Sequence, residues 1–203
     1  MREAVRLGVD LIDTAWIYGR SEELIAGALH PYPEGLVIAT KGGLRAGGHP
    51  DGRPERLRSD CEDSLRRLRV DTIDVWQLHR IDPNVPFEEQ FGVIRELRDE
   101  GKIRFAGVSE VSLDELRRAQ TVVEIATVQN RYNSTERQSD GVLAACEADG
   151  IGFLPWAPIR VGDAVTDART ALAWLLDRSP VMLPIPGTSS IEHLRENVSA
   201  ALR

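Results

Sequence analysis

The sequence predicts an α/β fold built on a parallel sheet, and two observations carry that expectation. Seven short apolar runs are mostly continuous rather than alternating, which suits strands covered on both faces. Seven amphipathic stretches separate them in strict alternation, as in repeated strand-helix units. Such a chain closes as a (β/α)8 TIM barrel or stays open as a doubly wound sheet. No GxGxxG follows the first strand-like run, so the open sheet loses its best support.

The elements read in order as follows. Met1–Gly8 is the tail of a helix, and the first strand lies in Val9–Trp16. A helix at Ser21–Leu29 starts at Ser21 with Glu22 and Glu23 behind it, acidic side chains that favour a helix N-terminus. Strand Leu36–Lys41 runs into Gly42–Asp51 (GGLRAGGHPD), which reads as a long flexible loop. Helix Pro54–Leu68 and strand Asp74–His79 follow. The next helix, Pro86–Glu100, has its proline where the first turn tolerates one. Strand Ile103–Val108 precedes helix Ser112–Val123, whose Ser112-Leu-Asp-Glu115 matches a capping box. Strand Ala126–Gln129, helix Ser139–Ala148, strand Gly152–Ile159, helix Thr166–Leu176, strand Val181–Ile185 and helix Ser190–Leu202 complete the chain. Gly101, Gly150 and Pro180 stop the helices before them. A leading helix without its own strand implies an eight-unit barrel lacking its first strand.

Composition narrows the function classes. With 203 residues, 42% hydrophobic and 28% charged, the chain reads as one soluble domain over residues 1–203, without a Pro-, Gly- or Ser-rich linker. A net charge of −7 argues against nucleic acid or an anionic membrane as the main partner. No apolar run approaches the roughly eighteen residues of a membrane span, and the N-terminus does not match a signal peptide. Cys61 and Cys146 lie in no CxxC, so neither a disulfide framework nor a zinc site is expected. The expected setting is the cytoplasm. The sequence leaves the oligomeric state open.

In a barrel the active site lies at the C-terminal strand ends. Those ends carry Asp13, with Tyr18 in the turn after it, then Lys41, His79, Ser109 with Glu110, Gln129 with Asn130, and Trp156. Of 25 basic residues only Lys41 and Lys102 are lysines, so an ammonium at the end of an apolar run stands out. Each residue has a plainer reading alone: Asp13 as a strand terminator, Tyr18 as a rim aromatic, His79 as a loop histidine, Trp156 as core. Together they make a chemically sensible set. Tyrosine, with a pKa of about 10, is a poor acid or base near neutrality. A neighbouring ammonium lowers that value, and a buried lysine needs a partner such as Asp13 to stay charged. A histidine opposite can orient a substrate oxygen. Such a set protonates a carbonyl oxygen, and since no side chain carries a hydride, a nicotinamide cofactor is implied.

These segments resemble the aldo-keto reductase family. LIDTAWIYG is similar to its Asp and Tyr motif, IATKGG to its Lys motif and WQLHRID to its His motif. GVSE, VQNRYN, FLPWAPI and IPGTSSIEHLRENV resemble its cofactor-binding segments in the same order. The resemblance covers essentially the whole chain. It implies the barrel and NADP(H)-dependent, less readily NAD(H)-dependent, reduction of small aldehydes or ketones. By that analogy Tyr18 is the general acid, Lys41 and Asp13 lower its pKa, and His79 orients the carbonyl. Ser109, Glu110 and Gln129 lie at carboxamide-binding positions, and Trp156 stacks on the nicotinamide. Gly187, Thr188, Ser189, His193, Glu196 and Asn197 match positions that hold the adenosine 2′-phosphate and adenine, at a helix start suited to a phosphate.

The chain also departs from the family pattern. Glu110 replaces the usual Asn, and a carboxylate cannot donate to a carboxamide oxygen. Gly187 and His193 stand where many members carry basic residues, with Arg195 close in sequence. The initial hairpin and first strand, a long loop after Trp156 and a C-terminal tail have no counterpart. Two other readings remain: a catalytically weak NADP(H)-binding regulatory module of the same fold, and a lyase using Lys41 as a Schiff base.

Overall fold

The structure, a computed structural model, describes residues 1–161, 164–165 and 167–201. Six strands form one parallel sheet in chain order: β1 (Leu11–Asp13), β2 (Val37–Gly42), β3 (Ile73–Leu78), β4 (Ile103–Ser109), β5 (Ile125–Gln129) and β6 (Gly152–Phe153). The helices are α1 (Arg2–Arg6), α2 (Ser21–Leu29), α3 (Pro54–Leu68), α4 (Phe87–Asp99), α5 (Leu113–Gln120), α6 (Asp140–Asp149), α7 (Ala168–Arg178) and α8 (Ile191–Ser199). The sheet curls into an incomplete (β/α)8 barrel. Among the described residues no strand pairs with the far edge of β1, whereas beyond β6 a single parallel bridge joins Phe153 to Met182.

Continuous apolar strands form because both faces are covered. Trp76, Leu57, Phe91, Ile94, Leu97 and Ile103 are buried in the layer between sheet and helices, each worth roughly 1.5–3 kcal/mol for a side chain of that kind. The capping box of α5 is present in full, with Ser112 accepting from the Glu115 N–H and Glu115 accepting from the Ser112 N–H. Gly150 ends α6 in the left-handed conformation, at φ 69°.

Several elements differ from expectation, each for a local reason. The first strand ends at Asp13 because the chain turns, with the Tyr18 N–H bonded to the Ala15 carbonyl. The run Gly152–Ile159 keeps only two strand residues before Ala157 adopts φ 54°. Val181–Ile185 reduces to the Met182 bridge, since Pro184 has no N–H for a ladder. Helix α2 has Arg20 at its N-cap without a side-chain cap, and the Ser21 hydroxyl accepts from Thr14 instead. The expected helix start at Thr166 and end at Leu202 lie outside the described residues.

The segment Gly42–Asp51 is not a loose loop. Leu44–Arg45 pairs antiparallel with His49–Pro50, and Arg45 bonds both Asp51 (3.2 Å) and Asp60 of α3 (2.9 Å). Opposite ends of the chain also meet: Arg195 of α8 bonds Glu3 of α1 at 2.9 Å. Among the described residues no helix is long and apolar enough to cross a membrane.

Candidate active site

The parallel register brings the C-terminal strand ends to one mouth. Lys41 lies opposite Gln77, Gln77 opposite Gly107, and Ser109 opposite Gln129. Lys41 is fully buried, and its Nζ donates to Asp13 Oδ1 (2.8 Å), Asp13 Oδ2 (2.7 Å) and the Thr14 carbonyl (2.6 Å). An ammonium has three protons, so these bonds use its full donor capacity. Burial pulls the lysine pKa below its ordinary value, and the Asp13 carboxylate works against that pull.

Tyr18 sits in the turn between β1 and α2, half exposed at 51%. Gly19 (φ 59°) makes that turn possible. The loop is held from behind by Trp16, whose indole N–H reaches Asp63 at 3.2 Å. The Arg45 and Arg67 guanidiniums lie 4.7 and 5.2 Å from the Trp16 ring centroid. The Tyr18 ring lies 5.5 Å from Lys41 Nζ and packs edge-on against His79, with ring centroids 5.9 Å apart. Asp13, Tyr18, Lys41 and His79 therefore share one cluster.

The electrostatics correct one expectation. The Tyr18 pKa is raised rather than lowered, because partial burial and then the Asp13 carboxylate both disfavour the phenolate. The opposing influence is Arg80, the residue after His79. Lys41 and Asp13 form a close ion pair beneath the phenol. Lys41 itself makes its hydrogen bonds to Asp13 and the Thr14 carbonyl.

His79 is 6% exposed, and its Nδ1 is buried without a hydrogen-bond partner. Burial, then the Lys41 and Arg80 charges, push its pKa down to about 3. The imidazole is thus neutral in the fold at physiological pH. In the unfolded chain it takes up a proton below about 6.5. Between that pH and about 3 the unfolded state binds more protons, so His79's contribution to stability is lost as the pH falls through this window. Urea unfolding of His79→Gln should show a shallower loss of stability over that range than the parent; equal slopes would remove His79 as a cause.

Sequence reasoning missed a polar chain across the barrel interior. Gln129 Nε2 donates to Asp13 (2.9 Å) and to Gln77 Oε1 (3.3 Å), and Gln77 Nε2 donates to Thr127 Oγ1 (2.9 Å). Gly107 permits this crossing, since a Cβ there would run into the Thr127 hydroxyl and Gln77 Cγ. The available signal was a glutamine or threonine inside runs of strand-forming apolar residues. Arg80 was missed as well. Its Nη1 donates to the His79 carbonyl (2.6 Å) and to Ser109 Oγ (3.1 Å).

The remaining candidates fall into two groups. Near the mouth, Glu110 Oε1 accepts from the Arg131 N–H (2.6 Å) and from the Trp156 indole N–H (2.5 Å), at a backbone φ of 55°. Asparagine tolerates that left-handed conformation better than glutamate; here two hydrogen bonds hold the substitute in place. Arg131 lies 5.1 Å from the Trp156 ring centroid. Asn130 braces a loop, exchanging hydrogen bonds with the Val111 backbone.

The second group surrounds the start of α8. Gly187, Thr188 and Ser189 are exposed, and Ser190 caps the helix by accepting from the His193 N–H. Thr188 Oγ1 accepts from the Ser190 N–H. His193 and Glu196 lie on α8, the former exposed and the latter exposed, while Asn197 is buried with its Oδ1 unpartnered. An unpaired buried acceptor there suits an exocyclic amine, and the exposed helix start suits a phosphate. Arg195 is already engaged by Glu3. The donor set thus fits a nicotinamide dinucleotide, whereas among the described residues no cluster of three or more side chains could hold a metal.

Comparison with known proteins places this geometry. The family model described as "Aldo/keto reductase family" matches residues 1–170. An uncharacterised oxidoreductase of Schizosaccharomyces pombe is 46% identical over 222 residues, covering 99% of this chain and 72% of the relative. Pyridoxine 4-dehydrogenase of Escherichia coli is 36% identical over 226 residues, covering 98% and 79%. A crystal structure of an aldo-keto reductase from Klebsiella pneumoniae in complex with NADPH superposes with a TM-score of 0.83 at 27% identity, covering 98% of this chain and 76% of that one.

Proposed function

The chain belongs to the aldo/keto reductase family of oxidoreductases, and on that premise we propose that it reduces small aldehydes or ketones to alcohols with NADPH. The observation that supports this best is the cluster of Tyr18, His79 and the buried Lys41–Asp13 pair at one barrel mouth. NADPH supplies the hydride when bound. Tyr18 Oη gives its proton to the carbonyl oxygen, as a positioned general acid. Neutral His79 hydrogen-bonds that oxygen and fixes its direction toward the phenol. The Lys41–Asp13 pair holds the floor of the site, and Gln129 braces Asp13 from the opposite strand.

Ser109 accepts from Arg80 and so keeps its own O–H free to donate to a carboxamide oxygen. Trp156 offers an aromatic face to the nicotinamide. Gly187, Thr188, Ser189 and His193 receive the phosphate end, and Glu196 and Asn197 the adenine. NADP(H) is favoured over NAD(H) by the NADPH-bound neighbour, although Arg195 is not free to hold a 2′-phosphate. Against a Schiff-base lyase stands Lys41 itself, sealed from solvent and fully hydrogen-bonded.

The test is loss of NADPH absorbance with a panel of small aldehydes and ketones that includes pyridoxal, a choice prompted by the Escherichia coli relative's name. Turnover with at least one carbonyl, faster with NADPH than with NADH at equal concentration, is expected. Quenching of tryptophan fluorescence by NADPH without turnover on any carbonyl would instead favour a regulatory binding module.

A further inference from the structure

Of the cofactor-binding candidates at the barrel mouth, Ser109, Gln129 and Trp156 are neutral, and Glu110 is anionic. The Glu110 backbone is fixed by its N–H, which donates to the Gln129 carbonyl at 3.0 Å. Its Oε1 accepts from the Arg131 N–H at 2.6 Å and from the Trp156 indole N–H at 2.5 Å. Trp156 is held in turn: its backbone N–H donates to the Asn130 carbonyl at 3.1 Å, and Arg131 and Trp156 form a parallel bridge. The carboxylate is therefore locked onto the edge of the indole. Two cations lie nearby. The Arg131 guanidinium sits 5.1 Å from the indole centroid but is paired with Glu136 at 2.8 Å. Arg80 is bonded to Ser109 Oγ and is attracted by the Glu110 charge across the mouth. Among the described residues Glu110 itself forms no ion pair.

We propose that Glu110, through its hydrogen bond to the Trp156 indole, makes the site sense the charge of the nicotinamide and favour the oxidised cofactor over the reduced one. This rests on the reading that Trp156 stacks on the nicotinamide. A ring lying on that indole has the locked carboxylate as its neighbour, no further away than the indole's own width. Oxidised nicotinamide is a cationic pyridinium and reduced nicotinamide a neutral dihydropyridine, so the nearby anion stabilises the first and not the second. The hydrogen bond acts in the same direction. An indole N–H donating to a carboxylate leaves the π face more electron-rich, and a cation on that face is held more strongly. An uncharged side chain at position 110 supplies neither effect in full. In carbonyl reduction the consequence is a product cofactor, NADP+, that competes well with NADPH for the site.

The test reads binding, without turnover. Kd values for NADP+ and for NADPH are measured by quenching of tryptophan fluorescence on the parent, Glu110→Gln and Glu110→Asn. The two cofactors carry the same phosphates and adenine, and Arg80 and Arg131 are present in all three proteins. The ratio of the two Kd values therefore isolates the charge on the ring. In Glu110→Gln, whose amide oxygen can keep both hydrogen bonds, the ratio of Kd for NADP+ to Kd for NADPH should rise about fivefold over the parent. Glu110→Asn, neutral and suited to the φ of 55°, should shift the ratio in the same direction and serves if the glutamine variant does not fold. A side chain that only braced the loop would move both Kd values together. An unchanged ratio in the folded neutral variants overturns the proposal while leaving the cofactor reading intact. A parent that binds neither cofactor refutes the cofactor reading, and this proposal with it.

Discussion

Tyr18→Phe should lower kcat for carbonyl reduction by about 10²- to 10⁴-fold, the range associated with loss of a positioned general acid. The substitution removes one oxygen and little else. The phenylalanine ring keeps its edge contact with His79 and its place 5.5 Å from Lys41. The position is half exposed, so folding stability should change by less than about 0.5 kcal/mol. NADPH binding, followed by quenching of tryptophan fluorescence, should be retained because none of the cofactor-binding candidates touches the phenol oxygen. The combination of lost turnover and retained binding separates a missing proton donor from a damaged site. A kcat within a factor of three of the parent, roughly 0.7 kcal/mol in barrier height, would remove Tyr18 from the chemistry.

Lys41→Met should be the most damaging single change to stability. The lysine is fully buried, and removing it leaves the Asp13 carboxylate in the barrel floor with Gln129 as its one side-chain hydrogen-bond donor among the described residues. Breaking one side of such a pair costs about 3–5 kcal/mol. For a chain of this size that corresponds to a fall in Tm of about 10 °C. Activity should fall with it, since β1 and β2 lose the bond that aligns their ends beneath Tyr18. Urea unfolding of Lys41→Met, Asp13→Asn and the double variant closes the cycle. The double variant should be more stable than Lys41→Met alone, because the isolated carboxylate is gone. Additive losses would show that the two groups act independently.

How much of this was legible in the sequence depended on distance along the chain. Helix α3 was read with its bounds because Pro54, a helical apolar spacing and Leu68 are local signals. The strand ends carrying Asp13, Lys41 and His79 could be found because a polar residue closing a continuous apolar run is conspicuous. What the sequence hid was pairing across long separations. Gly42–Asp51 looks flexible by composition, yet Arg45 reaches Asp60 on a helix fifteen positions away. Arg195 looks available for a phosphate, yet it bonds Glu3 at the opposite end of the chain. Gln77 and Thr127 are hydrogen-bonded inside the barrel, and neither position alone announces a network.

The Tyr18 environment shows the same limit in electrostatic form. Tyrosine, lysine and aspartate in motif order suggested that the lysine tunes the phenol. In the structure Lys41 is bonded to Asp13, and burial together with the Asp13 carboxylate raises the Tyr18 pKa. Charge at a site is a sum over three-dimensional neighbours, and order along a sequence does not reveal which of them are already paired.

The most direct test of the account follows the transferred hydrogen. The enzyme is supplied with a carbonyl it turns over and with NADPH deuterated at the transferable position of the nicotinamide, and the alcohol is analysed by mass spectrometry. Reduction as proposed puts one deuterium on the former carbonyl carbon, and an alcohol free of deuterium would contradict it.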